Sequence, residues 1–188
     1  MKLELRDYSR IGIFVAIIAV LGLIPKFPIG PIPFSIQVLG VFLAGAVLGS
    51  YRGTLAVLLF EVLVLAGLPL LTGGRGGFSV FTGPTLGFLI GWLVAAWVIG
   101  LAIENFKKIP LALKATFGFL LGMSIWWVAG LGWMYLAAQY NLITDGATVL
   151  AQTLPAVGLL IIGDLIKLVV AVVVVVALKA ANPKSLEN

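Results

Sequence analysis

Three ionisable residues interrupt long apolar stretches of the chain: Glu61, Asp164 and Lys167. An ionisable side chain inside a membrane span is disfavoured by about 2.5–3.5 kcal/mol on insertion scales, so such residues are candidates for function. Asp164 and Lys167 are i, i+3 neighbours on one helical face, where they can partly neutralise each other. We expect both to face an aqueous pocket, with the carboxylate accepting N–H donors and the ammonium binding a carbonyl or carboxylate of a ligand.

A purely structural interpretation of the same residues stays open. At about 1.5 Å of rise per residue, Glu61 lies roughly 10 Å above the inner end of its span, close to the depth of Lys167. The two side chains would then form a buried pair that only joins two helices.

A second candidate for ligand binding is the Gly-Gly-Arg-Gly-Gly segment at residues 73–77. Exposed backbone N–H groups around Arg75 suit an anionic or acceptor-rich ligand. Trp126, Trp127, Trp133 and Tyr135 could supply apolar walls, although tryptophan also anchors helices at the membrane interface.

Several kinds of chemistry are excluded by residue types that the chain lacks. It contains no cysteine and no histidine, so it has neither a thiol nucleophile nor an imidazole base or metal ligand. The phosphate-binding G-x-x-x-x-G-K-[ST] pattern is also absent. We therefore expect no enzyme activity and no cofactor, and any ATP would be hydrolysed by a partner.

The composition indicates a single membrane-embedded domain, residues 1–188. The chain is 62% apolar and only 10% charged, whereas soluble domains are about 45–50% apolar and about 25% charged. Since a spanning helix needs about 20 apolar residues, an all-α bundle of six transmembrane helices is predicted. The spans are residues 9–24, 34–50, 54–71, 85–103, 111–138 and 154–178.

Basic residues predict the orientation of these spans. Nine of them fall at the two termini and in the 2–3 and 4–5 turns, and only Lys26 and Arg75 fall on the other side. Positive residues favour the cytoplasmic side, so both termini are expected in the cytoplasm. The outer loops are then residues 25–33, 72–84 and 139–153. The first is rich in proline, and is either a simple connector or a rigid lid over an outward-facing site.

Small residues recur at four-residue spacing and predict close helix packing. They lie at Gly83, Gly87 and Gly91, at Gly118 and Gly122, and at Gly45 and Gly49. On the first span, Gly12, Ala16 and Ala19 form a similar stripe. That stripe either packs internally or forms a docking surface for another membrane subunit.

Much of the chain resembles the BioY family, the biotin-specific S-components of energy-coupling-factor (ECF) transporters. The matching segments are residues 33–37 (Pro-Phe-Ser-Ile-Gln), 67–69 (Gly-Leu-Pro), 73–77, 83–91 (Gly-Pro-Thr-Leu-Gly-Phe-Leu-Ile-Gly) and 163–167 (Gly-Asp-Leu-Ile-Lys). The resemblance implies a six-helix protein of the bacterial plasma membrane that binds biotin with high affinity. It also implies a transmembrane coupling subunit and two cytoplasmic ATPase subunits as partners.

The resemblance assigns roles to residues of this sequence. The first outer loop becomes a lid, and Gly12, Ala16 and Ala19 become the docking face, although the family's usual Ala-x-x-x-Ala reads Gly-x-x-x-Ala here. Glu61 stands where the family usually has an uncharged residue. Either Arg75 or Lys167 could bind the biotin carboxylate. The predicted ligand contacts are Asp164, Lys167, Arg75, Gly74, Gln37, Phe81, Thr85 and Tyr140.

A second hypothesis is an autonomous ion-coupled transporter with Glu61, Asp164 and Lys167 as a proton relay. It predicts uptake that is sensitive to ionophores and independent of ATPase partners. The two halves of the chain show no evident repeat of spans, which disfavours this hypothesis.

Overall fold

The computed structural model describes residues 3–24, 27–29, 32–106 and 108–181. Among them the regular elements are helices apart from one short antiparallel hairpin, in which Phe27 pairs with Phe34. The elements are α1 (Leu5–Leu23), β1 (Phe27–Ile29), β2 (Ile32–Phe34), α2 (Gln37–Leu65), α3 (Phe78–Phe81), α4 (Leu86–Asn105), α5 (Leu111–Gln139), α6 (Gly146–Thr153) and α7 (Val157–Ala181).

Four helical segments of the described residues are long and apolar enough to cross a membrane. They are Gln37–Leu65, Leu86–Asn105, Leu111–Gln139 and Gly146–Ala181. The shorter α1 carries three charged residues in its first two turns. The predicted first, fourth, fifth and sixth spans agree with α1, α4, α5 and α7 to within about four residues.

The α2 segment is broken at Gly49, whose φ of 83° and ψ of −179° are not helical. Glycine adopts this conformation because it has no Cβ. A Cβ on Gly53 would lie only 2.7 Å from the Ala44 carbonyl oxygen, although nine residues of continuous helix rise about 13 Å. The chain therefore reverses at Gly49 into two arms, residues 37–48 and 50–65, which correspond to the second and third predicted spans.

The segment predicted as the third outer loop is more helical than expected. Residues 139–153 were expected to be a loop, but they contain α6, which leads through a 3₁₀ turn at Leu154–Ala156 into α7. Pro155 lies at the start of that turn, where its missing N–H leaves no hydrogen bond unmade. A proline at this place starts a new turn instead of ending the helical segment.

Most glycines predicted to pack closely lie where helices touch, and the predicted packing role is confirmed for Gly45, Gly87, Gly91, Gly118 and Gly122. It is not found at the other two: a Cβ on Gly83 would meet only its own segment, and Gly49 lies at the break in α2. A Cβ on Gly87 of α4 would lie 2.3 Å from the Ala129 carbonyl oxygen of α5, and one on Gly45 would lie 2.4 Å from the Ala96 carbonyl oxygen. Because α4 packs against both α2 and α5, these contacts set the positions of the three helices relative to one another.

Replacing Gly87 by alanine is expected to destabilise the protein by about 1–3 kcal/mol, because the added methyl group meets backbone atoms that cannot move aside. Gly132→Ala is the matched control, since a Cβ on this helical glycine meets nothing within 4 Å. Thermal unfolding in detergent measures both variants. Equal transition temperatures would contradict the close approach of α4 and α5.

One face of α1 packs against α2 and the other is open. Ile11, Val15 and Ile18 are buried, whereas Gly12 and Ala16 are exposed and Ala19 is half-buried. A Cβ on Gly12 would meet no atom of the described residues within 4 Å. The stripe is therefore not mainly an internal packing face.

The first turn of α1 is joined to the Gly49 reversal by an ion pair that the sequence did not reveal. Asp7 Oδ1 lies 2.9 Å from Arg52 Nε. The backbone N–H of Glu4 and the Arg52 guanidinium hold the pKa of the Asp7 carboxyl below its usual range. In the same arm of α2, directly after the reversal, the Ser50 backbone N–H donates to Glu104 Oε1 at 2.8 Å. These contacts tie α1, α2 and α4 together at one end of the bundle.

Candidate functional site

A pocket opens between α2, α4, α5 and α7, beneath the loop that follows α2. The space between its side chains, including the open mouth, is about 630 Å³. Polar residues line one part of it, aromatic residues line one wall, and a buried ion pair lies on α7. The lining includes Ser35, Gln37, Thr72, Arg75, Thr85, Phe88, Trp92, Trp126, Trp127, Asp164 and Lys167.

The buried ion pair joins Asp164 and Lys167, as their spacing predicts. Lys167 Nζ donates to Asp164 Oδ1 at 2.7 Å, and Trp127 Nε1 donates to Asp164 Oδ2 at 3.0 Å. Only 1% of Asp164 and 6% of Lys167 is exposed. Each carboxylate oxygen has two lone pairs, so Asp164 can accept further N–H donors from a ligand.

Glu61 does not line this pocket. It is buried on the second arm of α2, and its Oε1 has no hydrogen-bond partner in the described part of the chain. The ionisable side chains of the pocket lining are therefore Asp164 and Lys167 on α7 and Arg75 in the loop after α2.

The Gln37 side chain holds the segments at the rim of the pocket together through hydrogen bonds. Its Nε2 donates to the Ile18 carbonyl at 3.0 Å and the Leu70 carbonyl at 2.8 Å, and its Oε1 accepts from the Thr72 backbone N–H at 3.1 Å. Ser35 and Thr72 are also hydrogen-bonded through their hydroxyl groups. Both ends of the Gln37 amide are used, so this side chain shapes the pocket by holding α1, α2 and the loop together.

Arg75 is the cation of the loop. Its backbone is fixed to Leu71, whose N–H donates to the Arg75 carbonyl at 3.0 Å, and its Nε donates to the Thr72 carbonyl at 3.4 Å. Arg75 takes part in none of the ion pairs found among the described residues. Partial burial lowers the pKa of its guanidinium, because the charged form loses solvation. An anionic ligand would stabilise the charged form again.

An aromatic wall runs along α4 and α5. The Phe88 ring lies edge-on to the rings of Trp126 and Trp127, with centroids 5.5 and 5.7 Å apart. Trp92 extends the wall. Trp126 and Trp127 were candidates from the sequence, whereas Phe88 and Trp92 were not. The latter two lie at i+3 and i+7 from Thr85 and share its helical face.

Two other aromatic candidates lie elsewhere. Trp133 Nε1 donates to the Gly83 carbonyl at 3.0 Å, which fixes the segment before α4 against α5. Tyr135 is 58% exposed. Neither lines the pocket.

The predicted ligand contacts divide into two groups. Asp164, Lys167, Arg75, Gln37 and Thr85 line the main pocket. The other three do not.

Gly74 lines a separate polar pocket, which shares Arg75 and Thr85 with the main one. Phe81 is half-buried against the core, and Tyr140 is 64% exposed at the end of α5. The segment predicted as a lid, residues 25–33, falls partly outside the described residues. Strands β1 and β2 belong to the part that is described.

Comparison with known proteins gives consistent results. The BioY family model matches residues 1–184. The biotin transporter BioY of Rhodobacter capsulatus is 45% identical over 184 residues, covering 96% of this chain and 97% of the relative. The biotin transporter BioY of Rhizobium etli is 41% identical over 172 residues, covering 88% of this chain and 89% of the relative.

The fold is also shared with a solved structure. The crystal structure of the S-component for biotin from an ECF-type ABC transporter matches with a TM-score of 0.77 and 33% identity, covering 93% of this chain and 91% of that one. The apolar helices and these relatives make the chain a multi-pass protein of the bacterial cell membrane. Family model, relatives and fold agree over nearly the whole length, and the chain belongs to the BioY family.

Proposed function

We propose that this chain binds biotin as the S-component of an ECF-type transporter, with ATP hydrolysed by partner subunits. The observation that carries the proposal is the pocket, in which a buried carboxylate–ammonium pair and a loop arginine accompany an aromatic wall. The relatives are named as transporters, and the residue types exclude thiol, imidazole and P-loop chemistry.

The chemistry of biotin suits the pocket. Its ureido ring has two N–H donors and one carbonyl acceptor, and Asp164 has unused lone pairs for the donors. The apolar bicyclic ring would lie against the aromatic wall. The carboxylate tail would bind Arg75, because Lys167 is already held by Asp164. Of the Arg75 guanidinium, only Nε has a hydrogen-bond acceptor among the described residues, and a guanidinium can bind a carboxylate through two N–H groups.

We propose six membrane crossings: α1, the two arms of α2, α4, α5 and α7. Six crossings leave both termini on one side, and the nine-to-two distribution of basic residues makes that side the cytoplasm. The pocket mouth, which lies beneath the loop after α2, then faces outward.

The first outer loop would act as a lid. It leads directly to Ser35, which lines the pocket, and its β1–β2 hairpin gives the backbone a defined shape. Movement of this hairpin would open and close the route to the binding site.

A transmembrane coupling subunit and two cytoplasmic ATPase subunits would complete the transporter. The Gly12–Ala16–Ala19 stripe of α1, in which Gly12 and Ala16 are exposed and Ala19 is half-buried, would be the docking face, since small residues let another helix approach closely.

Calorimetry with the purified protein in detergent tests the proposal. Biotin is expected to bind with one site per chain. Folded protein that binds no biotin would contradict the proposed substrate. Ionophore-sensitive uptake in the absence of ATPase subunits would instead support the ion-coupled hypothesis.

Replacing Arg75 by glutamine is expected to weaken biotin binding about 10- to 100-fold, because a charge-assisted hydrogen bond to the carboxylate is lost. Biotin methyl ester lacks that carboxylate charge and serves as the second ligand. Its affinity, measured by calorimetry, should be the same for the wild-type protein and Arg75→Gln. An equal loss for both ligands would place the carboxylate elsewhere.

A further inference from the structure

Two indole N–H groups of the pocket wall have no hydrogen-bond partner among the described residues. They belong to Trp92 and Trp126, which are 6% and 9% exposed. Both residues line the pocket. Buried N–H donors without an acceptor are rare in folded proteins, because the lost interaction with water is not replaced.

The indole N–H groups of two other tryptophans on α5, Trp127 and Trp133, each have an acceptor. Trp127 Nε1 donates to Asp164 Oδ2 and Trp133 Nε1 donates to the Gly83 carbonyl, both at 3.0 Å. The unsatisfied donors are therefore a particular property of Trp92 and Trp126.

Trp92 on α4 and Trp126 on α5 line the same pocket from two helices that pack against each other. A Cβ on Gly91 would lie 3.3 Å from Cδ1 of Trp126, the ring carbon bonded to Nε1, and Trp92 is the next residue along α4. Phe60 supports the Trp92 ring with a centroid distance of 6.3 Å, and Phe88 supports Trp126 at 5.5 Å. The ring packing leaves the indoles little freedom to find another partner.

We propose that Trp92 and Trp126 are specificity-determining residues that donate their indole N–H groups to the ureido carbonyl oxygen of the ligand. The inference rests on the proposed function and deepens it. A carbonyl oxygen has two lone pairs, which matches two unsatisfied donors. The ureido N–H groups are left for Asp164, so every polar atom of the ring has a partner.

This arrangement selects for an acceptor at one position of the ligand. In 2-iminobiotin a protonated imino group replaces the carbonyl oxygen at neutral pH, and it has no lone pair. Its own N–H groups would face the indole N–H groups, so no hydrogen bond could form between them. A site that requires an acceptor rejects such an analogue strongly, because buried polar groups then remain unpaired.

The test measures biotin and 2-iminobiotin binding by calorimetry at pH 7 for the wild-type protein, Trp92→Phe and Trp126→Phe. Phenylalanine keeps an aromatic ring and removes the N–H. Each variant is expected to bind biotin roughly 10-fold more weakly. The loss should be absent for 2-iminobiotin, so that the preference for biotin falls by the same factor.

Trp97→Phe is the matched control, because Trp97 lies on α4 but is 49% exposed and does not line the pocket. It should bind both ligands like the wild-type protein. Thermal unfolding shows whether each variant is folded. If one pocket variant does not fold, the other still tests the proposal.

Three results would overturn the inference. Unchanged biotin affinity in both pocket variants would show that the indoles donate nothing to the ligand. Equal losses for biotin and 2-iminobiotin would show that the rings act by packing alone. Wild-type protein that binds no biotin would overturn the proposed function as well, whereas the first two results would leave it standing.

Discussion

Replacing Asp164 by alanine is expected to weaken biotin binding by about 2–5 kcal/mol, or roughly 30-fold to several thousand-fold. The carboxylate accepts hydrogen bonds from Lys167 and Trp127 at 2.7 and 3.0 Å, and in the proposed complex it also accepts the ureido N–H groups. Its removal leaves the ligand donors and the Lys167 ammonium without their acceptor. Calorimetry with biotin measures the effect.

Part of this loss comes from the protein rather than the ligand. Breaking a buried ion pair leaves an uncompensated charge, which typically destabilises a protein by about 3–5 kcal/mol. Lys167→Ala removes the other partner and is expected to weaken binding by a similar amount. Each single variant therefore needs a thermal unfolding measurement beside the binding measurement.

A double variant separates the two contributions. Asp164→Asn combined with Lys167→Met removes both charges, and replacing a buried ion pair by neutral residues is often close to neutral for stability. We expect the double variant to recover most of the thermal stability but not the affinity for biotin. Wild-type affinity in either single variant would mean that the pair, with Trp127 of α5 bound to Asp164, has a structural role only and does not contact the ligand.

The sequence was sufficient for the parts of the fold that depend on local patterns. The apolar runs located α4 and α5 closely, and the i, i+3 spacing of Asp164 and Lys167 predicted their contact. The division between the second and third spans was also readable, because Arg52 and the nearby glycines interrupt the apolar pattern. Each of these features depends on residues close together in the chain.

Features that depend on distant residues were missed or misassigned. The Gln37 amide is engaged by Ile18, Leu70 and Thr72, and no local pattern shows that a side chain is already satisfied. Tyr140 was expected at the ligand, but it lies exposed where α5 ends. Trp92 was missed because a tryptophan in an apolar helix has the same appearance whether it faces lipid or the pocket.

Replacing Ala16 by tryptophan is expected to abolish assembly with the coupling subunit and biotin uptake, while leaving biotin binding within about twofold. Ala16 lies on the exposed face of α1, away from the pocket lining. Helices associate in lipid through close contact of small residues. A bulky indole at this position would hold the partner helix away from Gly12 and Ala19.

A control on another lipid-exposed helix distinguishes docking from a general effect of added bulk. Val128 of α5 is 73% exposed, and Val128→Trp places the same side chain on a helix that does not pack extensively against α1. This variant should co-purify with the coupling and ATPase subunits in normal yield. Loss of the complex in Ala16→Trp alone would localise docking to α1, because both variants add an indole to an exposed helix surface.

Biotin binding in detergent and ATP-dependent uptake in cells must be measured on the same Ala16→Trp protein. The pocket is built from α2, α4, α5, α7 and the loop after α2, so a change on the open side of α1 should not reach it. Normal binding with no uptake would separate substrate recognition from energy supply. A normal yield of the assembled complex would instead exclude the small-residue stripe as the docking face.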